Sequence, residues 1–167
     1  LNDRGNEISL KFEVPQYTVQ TVQIQGQTFT TINAGDAAVL EKKGFAELPY
    51  FAQSIMIPAK AAMGYEIVDV VYKEIKVNQL KPSRGVIFRN QDPLSIPYKI
   101  DASSLVDAWY PSENMTLGSP YILRRIRGIA VRFQPFQYNP VKGILKVAES
   151  MTVKVKAVGT STENILT

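Results

Sequence analysis

An alternation of apolar and polar residues with a period of two runs through most of the chain. It is clearest in MTVKVKAV, residues 151–158, where Met151, Val153 and Val155 fall on one face and the residues between them on the other. This alternation is typical of a β-strand with one buried and one solvated face. Similar patterns predict further strands over residues 8–14, 17–25, 27–32, 50–57, 64–73, 74–80, 96–100, 129–133 and 143–148.

Turn-forming residues separate the predicted strands at short intervals, and helical patterns are scarce. Residues 36–43 (DAAVLEKK) predict a short helix with Asp36 as its N-cap, and residues 101–108 (DASSLVDA) predict a second helix. A shift of the apolar phase at Thr21 and Val22 predicts a β-bulge. We therefore expect an all-β fold, an antiparallel β-sandwich of about ten strands with one or two short helices.

The composition fits one folded domain. Of the 167 residues, 45% are hydrophobic and 20% are charged, which is the balance of a globular chain. Apolar runs fall short of the ~18 residues that a membrane-spanning helix needs, and the chain does not start with a signal-peptide pattern. We expect a mature, soluble segment with a sandwich over residues 1–158 and a loosely ordered polar tail over residues 159–167.

Cysteine and histidine are both absent from the sequence. Their absence excludes thiol nucleophiles, disulfides, the usual zinc ligand sets and the Ser/His/Asp and Cys/His catalytic arrangements. Glu66, Asp69 and Glu74 could in principle supply a carboxylate pair, but their spacing favours no particular pair, and a glycine-rich phosphate loop is lacking. We therefore predict no enzymatic activity, no metal and no cofactor.

The net charge of +4 favours an acidic partner, either a protein surface or a nucleic acid. Nucleic-acid binding is supported mainly by four arginines, Arg124, Arg125, Arg127 and Arg132. However, Arg132 alternates with Val131 and Phe133, as in an ordinary half-exposed strand. We interpret the cluster as a solvated strand edge and expect no nucleic-acid binding.

Arg89 lies between a short apolar run and a turn signal in GVIFRNQDP, residues 85–93. Residues 86–88 are typical of a strand end, whereas residues 90–93 are of the types that form turns and loops. The guanidinium is therefore expected on a projecting loop, where it could be either solvated or functional. From the residues alone, the chain is a β-sandwich binding module, which could be a carbohydrate-binding or adhesin module or a protein-binding inhibitor.

Six short motifs occur in a distinctive order and spacing. They are GFAELP (44–49), PSRGVIFR (82–89), IPYKI (96–100), a YP turn (110–111), ILRRIRG (122–128) and QYNPV (137–141). Together they resemble the N-terminal prodomain of gingipain-type cysteine peptidases, in particular the arginine-specific gingipains. Ala46 stands where the family signature has proline, and Phe88 stands where we expect a small polar residue.

The resemblance implies a β-sandwich prodomain, or propeptide, that assists folding of the catalytic domain following it and keeps that domain latent. The partner would be the catalytic domain of the cognate peptidase, a virulence factor secreted through the periplasm of a bacterium. We expect the isolated domain to be a monomer. Because residues 159–167 contain no lysine or arginine, a basic activation site would lie beyond Thr167, with the tail leading toward it.

By motif, the resemblance also implies that Arg89 enters the primary specificity pocket of the peptidase. Arginine suits this role because it stays protonated and its planar fork pairs bidentately with a carboxylate. The residues expected to support the loop are Arg84, Phe88, Asn90, Asp92 and Pro93. Arg84 is also the rival candidate for the pocket, and Pro93 is predicted to keep the chain out of the extended conformation that cleavage requires.

Trp109 and Tyr110 form a second candidate contact. As adjacent aromatic residues they could anchor the domain on the peptidase surface. In the alternative carbohydrate-binding class they would form a platform for a sugar ring.

Overall fold

Eleven β-strands and two 3₁₀ turns make up the regular structure of residues 7–167, the part of the chain that the computed structural model describes. The first six residues of the predicted domain lie outside this range, and no α-helix occurs within it. The strands are β1 (Glu7–Glu13), β2 (Thr18–Ile24), β3 (Gln27–Asn33), β4 (Ala38–Val39), β5 (Pro49–Met56), β6 (Ala61–Lys76), β7 (Met115–Leu117), β8 (Tyr121–Leu123), β9 (Ile126–Phe133), β10 (Phe136–Asn139) and β11 (Ile144–Thr160). The 3₁₀ turns are Pro93–Ser95 and Ala102–Ser104.

The 17-residue strand β11 is the centre of the first sheet. It pairs with β1 and β10 along one edge and with β6 along the other, always antiparallel. The predicted strands 143–148 and 151–158 are two parts of this single strand, and most of 64–80 likewise belongs to β6. The register between β6 and β11 shifts at three points, which lets two such long strands bend and twist together.

The second sheet is built around β9. Strand β5 pairs along one edge of β9, with β4 outside it, and β7 and β8 pair in turn along the other edge. Strands β2 and β3 form a separate hairpin whose turn residues, Gln25 and Gly26, both have positive φ. Positive φ at both central positions gives a two-residue turn the twist that suits a hairpin.

Two clusters of buried apolar side chains hold the sheets together. The first joins the two sheets and includes Met151, Val153 and Val155 of β11 with Ile129, Val131 and Phe133 of β9. The second includes Leu48, Leu80, Phe136, Leu145 and Val147. The alternation along 151–158 therefore identified the buried face correctly, and the paired antiparallel sheets confirm the predicted β-sandwich.

The two predicted helices are wrong. Within 36–43, Ala38–Val39 pairs with the start of β5, and the Leu40 N–H donates to the Leu48 carbonyl. A helix of this length is marginal in water, whereas the extended chain completes a sheet edge and buries Leu40. Within 101–108, Asp101 does cap a turn, but the turn is the short 3₁₀ segment Ala102–Ser104.

Three further predictions about strands fail. Residues 86–88, predicted as a strand end, belong to a loop in which Val86 and Phe88 are exposed. The register between β2 and β3 is continuous, so there is no bulge at Thr21 and Val22. Most of β2 is exposed, and a strand with little burial places weak constraints on its apolar phase. Residues 96–100 form a loop rather than a strand, and this loop belongs to the candidate site.

Candidate functional site

Arg89 lies at the tip of an exposed loop formed by residues 85–100. It occupies a β-turn with Asn90, in which the Gln91 N–H donates to the Phe88 carbonyl at 3.0 Å. The Gln91 side chain closes the turn a second time, because its Oε1 accepts from the Phe88 N–H at 3.0 Å. The Arg89 side chain is exposed, and none of the four salt bridges found among residues 7–167 involves it.

The second half of the loop is ordered by Asp92. Its Oδ1 accepts from the Leu94 N–H at 3.0 Å, and its carbonyl accepts from the Ser95 hydroxyl at 2.7 Å. These bonds build the 3₁₀ turn Pro93–Ser95 and leave Leu94 89% exposed. Phe88 is also exposed, at 64%, so the loop carries an unpartnered apolar side chain on each side of the Arg89 turn.

Arg84 crosses the base of this loop. Its Nη1 donates to the Pro93 carbonyl at 2.6 Å and, more weakly, to the Ile96 carbonyl at 3.5 Å. Its Cζ lies 4.3 Å from the centre of the Tyr98 ring, which gives a cation–π contact. Arg84 therefore braces the loop from within, and this favours Arg89 over Arg84 as the residue available to a partner.

Both ends of the loop are fixed at Gly44. The Gly44 N–H donates to the Ser83 carbonyl at 2.9 Å, and the Gly44 carbonyl accepts from the Asp101 N–H at 3.0 Å. Gly44 has φ +83°, and a Cβ at this position would lie 2.7 Å from the Asp101 backbone nitrogen. Glycine is thus required both by the backbone conformation and by the close approach of the returning chain.

The segment around Gly44 is itself anchored in the second apolar cluster. Ala46 forms an antiparallel bridge with Pro82 and is buried beside Leu80. Ala46 is only 7% exposed, so the alanine packs within this cluster at the position where the family signature has proline. The result is a loop with a rigid stem and an exposed tip.

The aromatic residues Trp109 and Tyr110 are both half-buried and contact the body of the domain. Tyr110 exchanges two backbone hydrogen bonds with Tyr138, and burial raises the pKa of its hydroxyl. Trp109 is half-buried, and the Nζ of Lys146 lies 4.4 Å from the ring centre. The same Nζ lies 4.7 Å from the centre of the Tyr72 ring, so Lys146 contacts both aromatic side chains.

The arginine cluster divides into two environments. Arg124 and Arg125 form the exposed turn between β8 and β9, and Arg132 is exposed farther along β9. Arg127, in contrast, is only 1% exposed, so its assignment to a solvated edge is wrong. The sequence did contain the signal, since Arg127 shares the phase of Val131 and Phe133, which face the core.

Backbone carbonyls surround the buried Arg127 guanidinium. Nη1 donates to Pro58 at 2.9 Å and to Ala61 at 2.7 Å. Nε donates to Asn164 at 2.7 Å, and Nη2 donates to Glu163 at 3.0 Å. Within the predicted polar tail, β11 continues to Thr160, and Arg127 ties residues 163 and 164 to the sandwich.

The candidate carboxylates form no enclosed site. Glu66, Asp69 and Glu74 are all exposed along β6, and Glu66 forms a salt bridge of 3.5 Å with Lys156. Glu66 and Glu74 are separated by about 26 Å at the rise of an extended strand, too far to act on one bond. Within residues 7–167 there is no group of three or more acidic side chains that could hold a metal, and no helix there is long and apolar enough to cross a membrane.

Comparison with known proteins assigns the chain to a family. A model of the Propeptide_C25 family matches residues 2–166. Gingipain R1 of Porphyromonas gingivalis is 38% identical over 127 residues, which are 76% of this chain and 13% of the relative. Gingipain R2 is 33% identical over 164 residues (96% and 22%), whereas Lys-gingipain is 22% identical over 167 residues (95% and 10%). The chain thus spans less than a quarter of the length of each of these relatives.

Solved structures agree with this assignment. A complex of Porphyromonas gingivalis RgpB pro- and mature domains contains a chain with a TM-score of 0.90 and 30% identity, with 99% of this chain and 87% of that chain covered. A structure on the zymogenic latency of gingipain K has the same fold, with a TM-score of 0.81 at 20% identity and 95% and 90% coverage. The resemblance seen in the sequence motifs is confirmed: the chain belongs to the Propeptide_C25 family and is a propeptide of the gingipain type rather than a catalytic domain.

Proposed function

We propose that this domain keeps a gingipain-type cysteine peptidase latent by placing Arg89 in its specificity pocket. One observation carries the proposal: Arg89 is exposed at the tip of a braced loop, while Arg84, at the base of the loop, donates to the loop's own carbonyls. The family assignment and the likeness to a chain in a complex of RgpB pro- and mature domains support the cognate peptidase as the partner.

The geometry of the loop suits an inhibitor. A pocket that selects arginine must offer a carboxylate to the guanidinium, and Arg89 brings a charge that forms no salt bridge with any of residues 7–167. Because the loop is already held at both ends and across its base, little conformational entropy is lost when it binds. Phe88 and Leu94 add exposed apolar area on both sides of the guanidinium.

The remaining parts of the proposal concern folding and export. The domain also assists folding of the peptidase. Its two apolar clusters are formed by its own residues, which supports folding of the sandwich before the domain that follows it. It is secreted with the peptidase from a bacterium, through the periplasm, as one precursor. The isolated domain is a monomer and binds no nucleic acid.

A titration of this chain into a gingipain R peptidase tests the central claim, with hydrolysis of an arginyl substrate as the readout. Losing one partner of a buried charge pair costs on the order of 2 to 5 kcal/mol, so Arg89→Ala should weaken inhibition by roughly 30-fold to several thousand-fold. Arg84→Ala removes only an exposed brace and should weaken inhibition about 5- to 10-fold. Equal inhibition by Arg89→Ala and the unmodified chain would contradict the proposal.

A further inference from the structure

The peptide bond between Arg89 and Asn90 lies inside a doubly closed turn. One bond runs from the Gln91 N–H to the Phe88 carbonyl, and the other from the Phe88 N–H to the Gln91 side-chain carbonyl, each at 3.0 Å. We propose that Gln91 is the positioning residue that lets Arg89 occupy the pocket without being cut. This inference rests on the proposed function and adds to it the reason why the domain is an inhibitor rather than a substrate.

Cleavage after Arg89 would require this turn to open. Hydrolysis consumes one water molecule, breaks the Arg89–Asn90 C–N bond and leaves a carboxylate on Arg89 and an amine on Asn90. A peptidase cleft aligns such a bond in an extended chain, in which four consecutive Cα atoms span about 10 Å. The first and last Cα atoms of a β-turn lie within about 7 Å of each other, so the bound turn cannot present the bond in the extended form.

The side chain of Gln91 is what makes this turn resistant to opening. In an exposed loop, water competes for both the Phe88 carbonyl and the Phe88 N–H, and a single backbone bond closes many turns only part of the time. Gln91 supplies the acceptor for the Phe88 N–H from within the turn. Both polar groups of the Phe88 backbone therefore have a partner on Gln91 while the turn is closed, and opening the turn exchanges two bonds for water instead of one.

Pro93, for which the sequence predicts this role, lies outside the turn that contains the Arg89–Asn90 bond. Pro93 follows Asp92, starts the 3₁₀ turn and offers its carbonyl to Arg84. It thus belongs to the braced stem, while the turn around the Arg89–Asn90 bond closes before it.

The test compares four variants of the 167-residue chain, incubated with a gingipain R peptidase and followed by intact mass spectrometry for a cut between Arg89 and Asn90. Gln91→Ala removes the acceptor, and Gln91→Glu is its matched control because a carboxylate oxygen still accepts from the Phe88 N–H. Pro93→Ala tests the rival explanation. Arg89→Ala reports on pocket insertion through the loss of initial inhibition.

We expect Gln91→Ala to be cut between Arg89 and Asn90 about 5- to 10-fold faster than the unmodified chain, the factor that loss of one hydrogen bond gives. Gln91→Glu should be cut as slowly as the unmodified chain. Without peptidase, amide exchange at Phe88 should accelerate by a similar factor in Gln91→Ala and stay slow in Gln91→Glu.

Two results would overturn the role of Gln91 while leaving the proposed function intact. In the first, Arg89→Ala loses inhibition but Gln91→Ala is cut no faster than the unmodified chain. In the second, Pro93→Ala is cut faster and Gln91→Ala is not. Full inhibition by Arg89→Ala would instead overturn the proposed function, and the role of Gln91 with it.

Discussion

Replacing Arg127 by methionine should destabilise the domain far more than the same change at a surface arginine. The guanidinium is 1% exposed and donates to four backbone carbonyls, two from the start of β6 or just before it and two from the tail. Methionine fills much of the volume but donates no hydrogen bond. The four carbonyl acceptors remain in the chain but lose their donor. The substitution is therefore costly, unlike the replacement of both partners of a buried ion pair by apolar residues.

The size of the effect follows from where the carbonyls lie. Glu163 and Asn164 are exposed, so their carbonyls regain water when the tail detaches, whereas Pro58 and Ala61 are half-buried. A hydrogen bond to a charged group contributes about 1.5 to 3 kcal/mol. Two such losses predict a fall of about 3 to 6 kcal/mol in the free energy of unfolding, a large share of the 5 to 15 kcal/mol typical of a domain.

Urea unfolding followed by the fluorescence of the single tryptophan, Trp109, measures this change. Arg132→Met is the control, because Arg132 is exposed on the same strand and contacts only the face of Tyr50, so its loss should cost under about 1 kcal/mol. Amide exchange at Ser161 and Leu166, whose N–H groups donate to Lys60 and Ala59, should accelerate in Arg127→Met.

If Arg127→Met does not fold, Arg127→Lys keeps the charge with fewer donors and should show the same effects at smaller size. A loss below about 1 kcal/mol in Arg127→Met, with both amides still protected, would show that the guanidinium does not hold the tail.

Two other predictions concern the stem of the Arg89 loop. Gly44→Ala should lower the free energy of unfolding by about 2 to 3 kcal/mol and weaken inhibition. Gly26 is the control, because it also has positive φ but has open space around it, and Gly26→Ala should cost about 1 kcal/mol. Equal losses of the two variants in urea unfolding would refute a role for the contact with Asp101. Hydrogen bonds from the Ser103 hydroxyl and N–H lower the pKa of Asp101 in the folded state. The ionised carboxylate therefore stabilises the fold at pH values above the unfolded pKa of about 4. This stabilisation is lost as the pH falls through the lower pKa of the folded state. Asp101→Asn should therefore be less stable than the unmodified chain at pH 7, and the gap should shrink below pH 4; a gap independent of pH would contradict this assignment.

The sequence predicted those parts of the fold in which one side of a strand is buried. Residues 151–158 are the clearest case, because Met151, Val153 and Val155 alternate with solvated residues along their whole length. Prediction failed where a partner distant in the sequence decides the structure. The pairing of Ala38–Val39 with β5 overrides a local helix signal, and no local sequence pattern predicts this pairing.

The candidate site shows the same division. Turn-forming residues after Phe88 correctly placed Arg89 on an exposed loop, since such residues act locally. The hydrogen bonds of Arg84 across the loop base and of Gln91 across the turn depend on side-chain geometry. From the sequence, several other polar residues of the loop were equally plausible donors and acceptors for them. The contact between Gly44 and Asp101 joins residues far apart in the chain, so only the folded structure brings it to light.

The position of β11 has a consequence for how latency would end. This one strand contributes Leu145 and Val147 to the cluster beneath the Arg89 stem, and Met151 and Val153 to the cluster between the sheets. Neither cluster can be lost without weakening the other, so the domain should unfold as one cooperative unit. A single cut within β11 would then abolish inhibition abruptly instead of weakening it by degrees, and activation of the peptidase would be a switch.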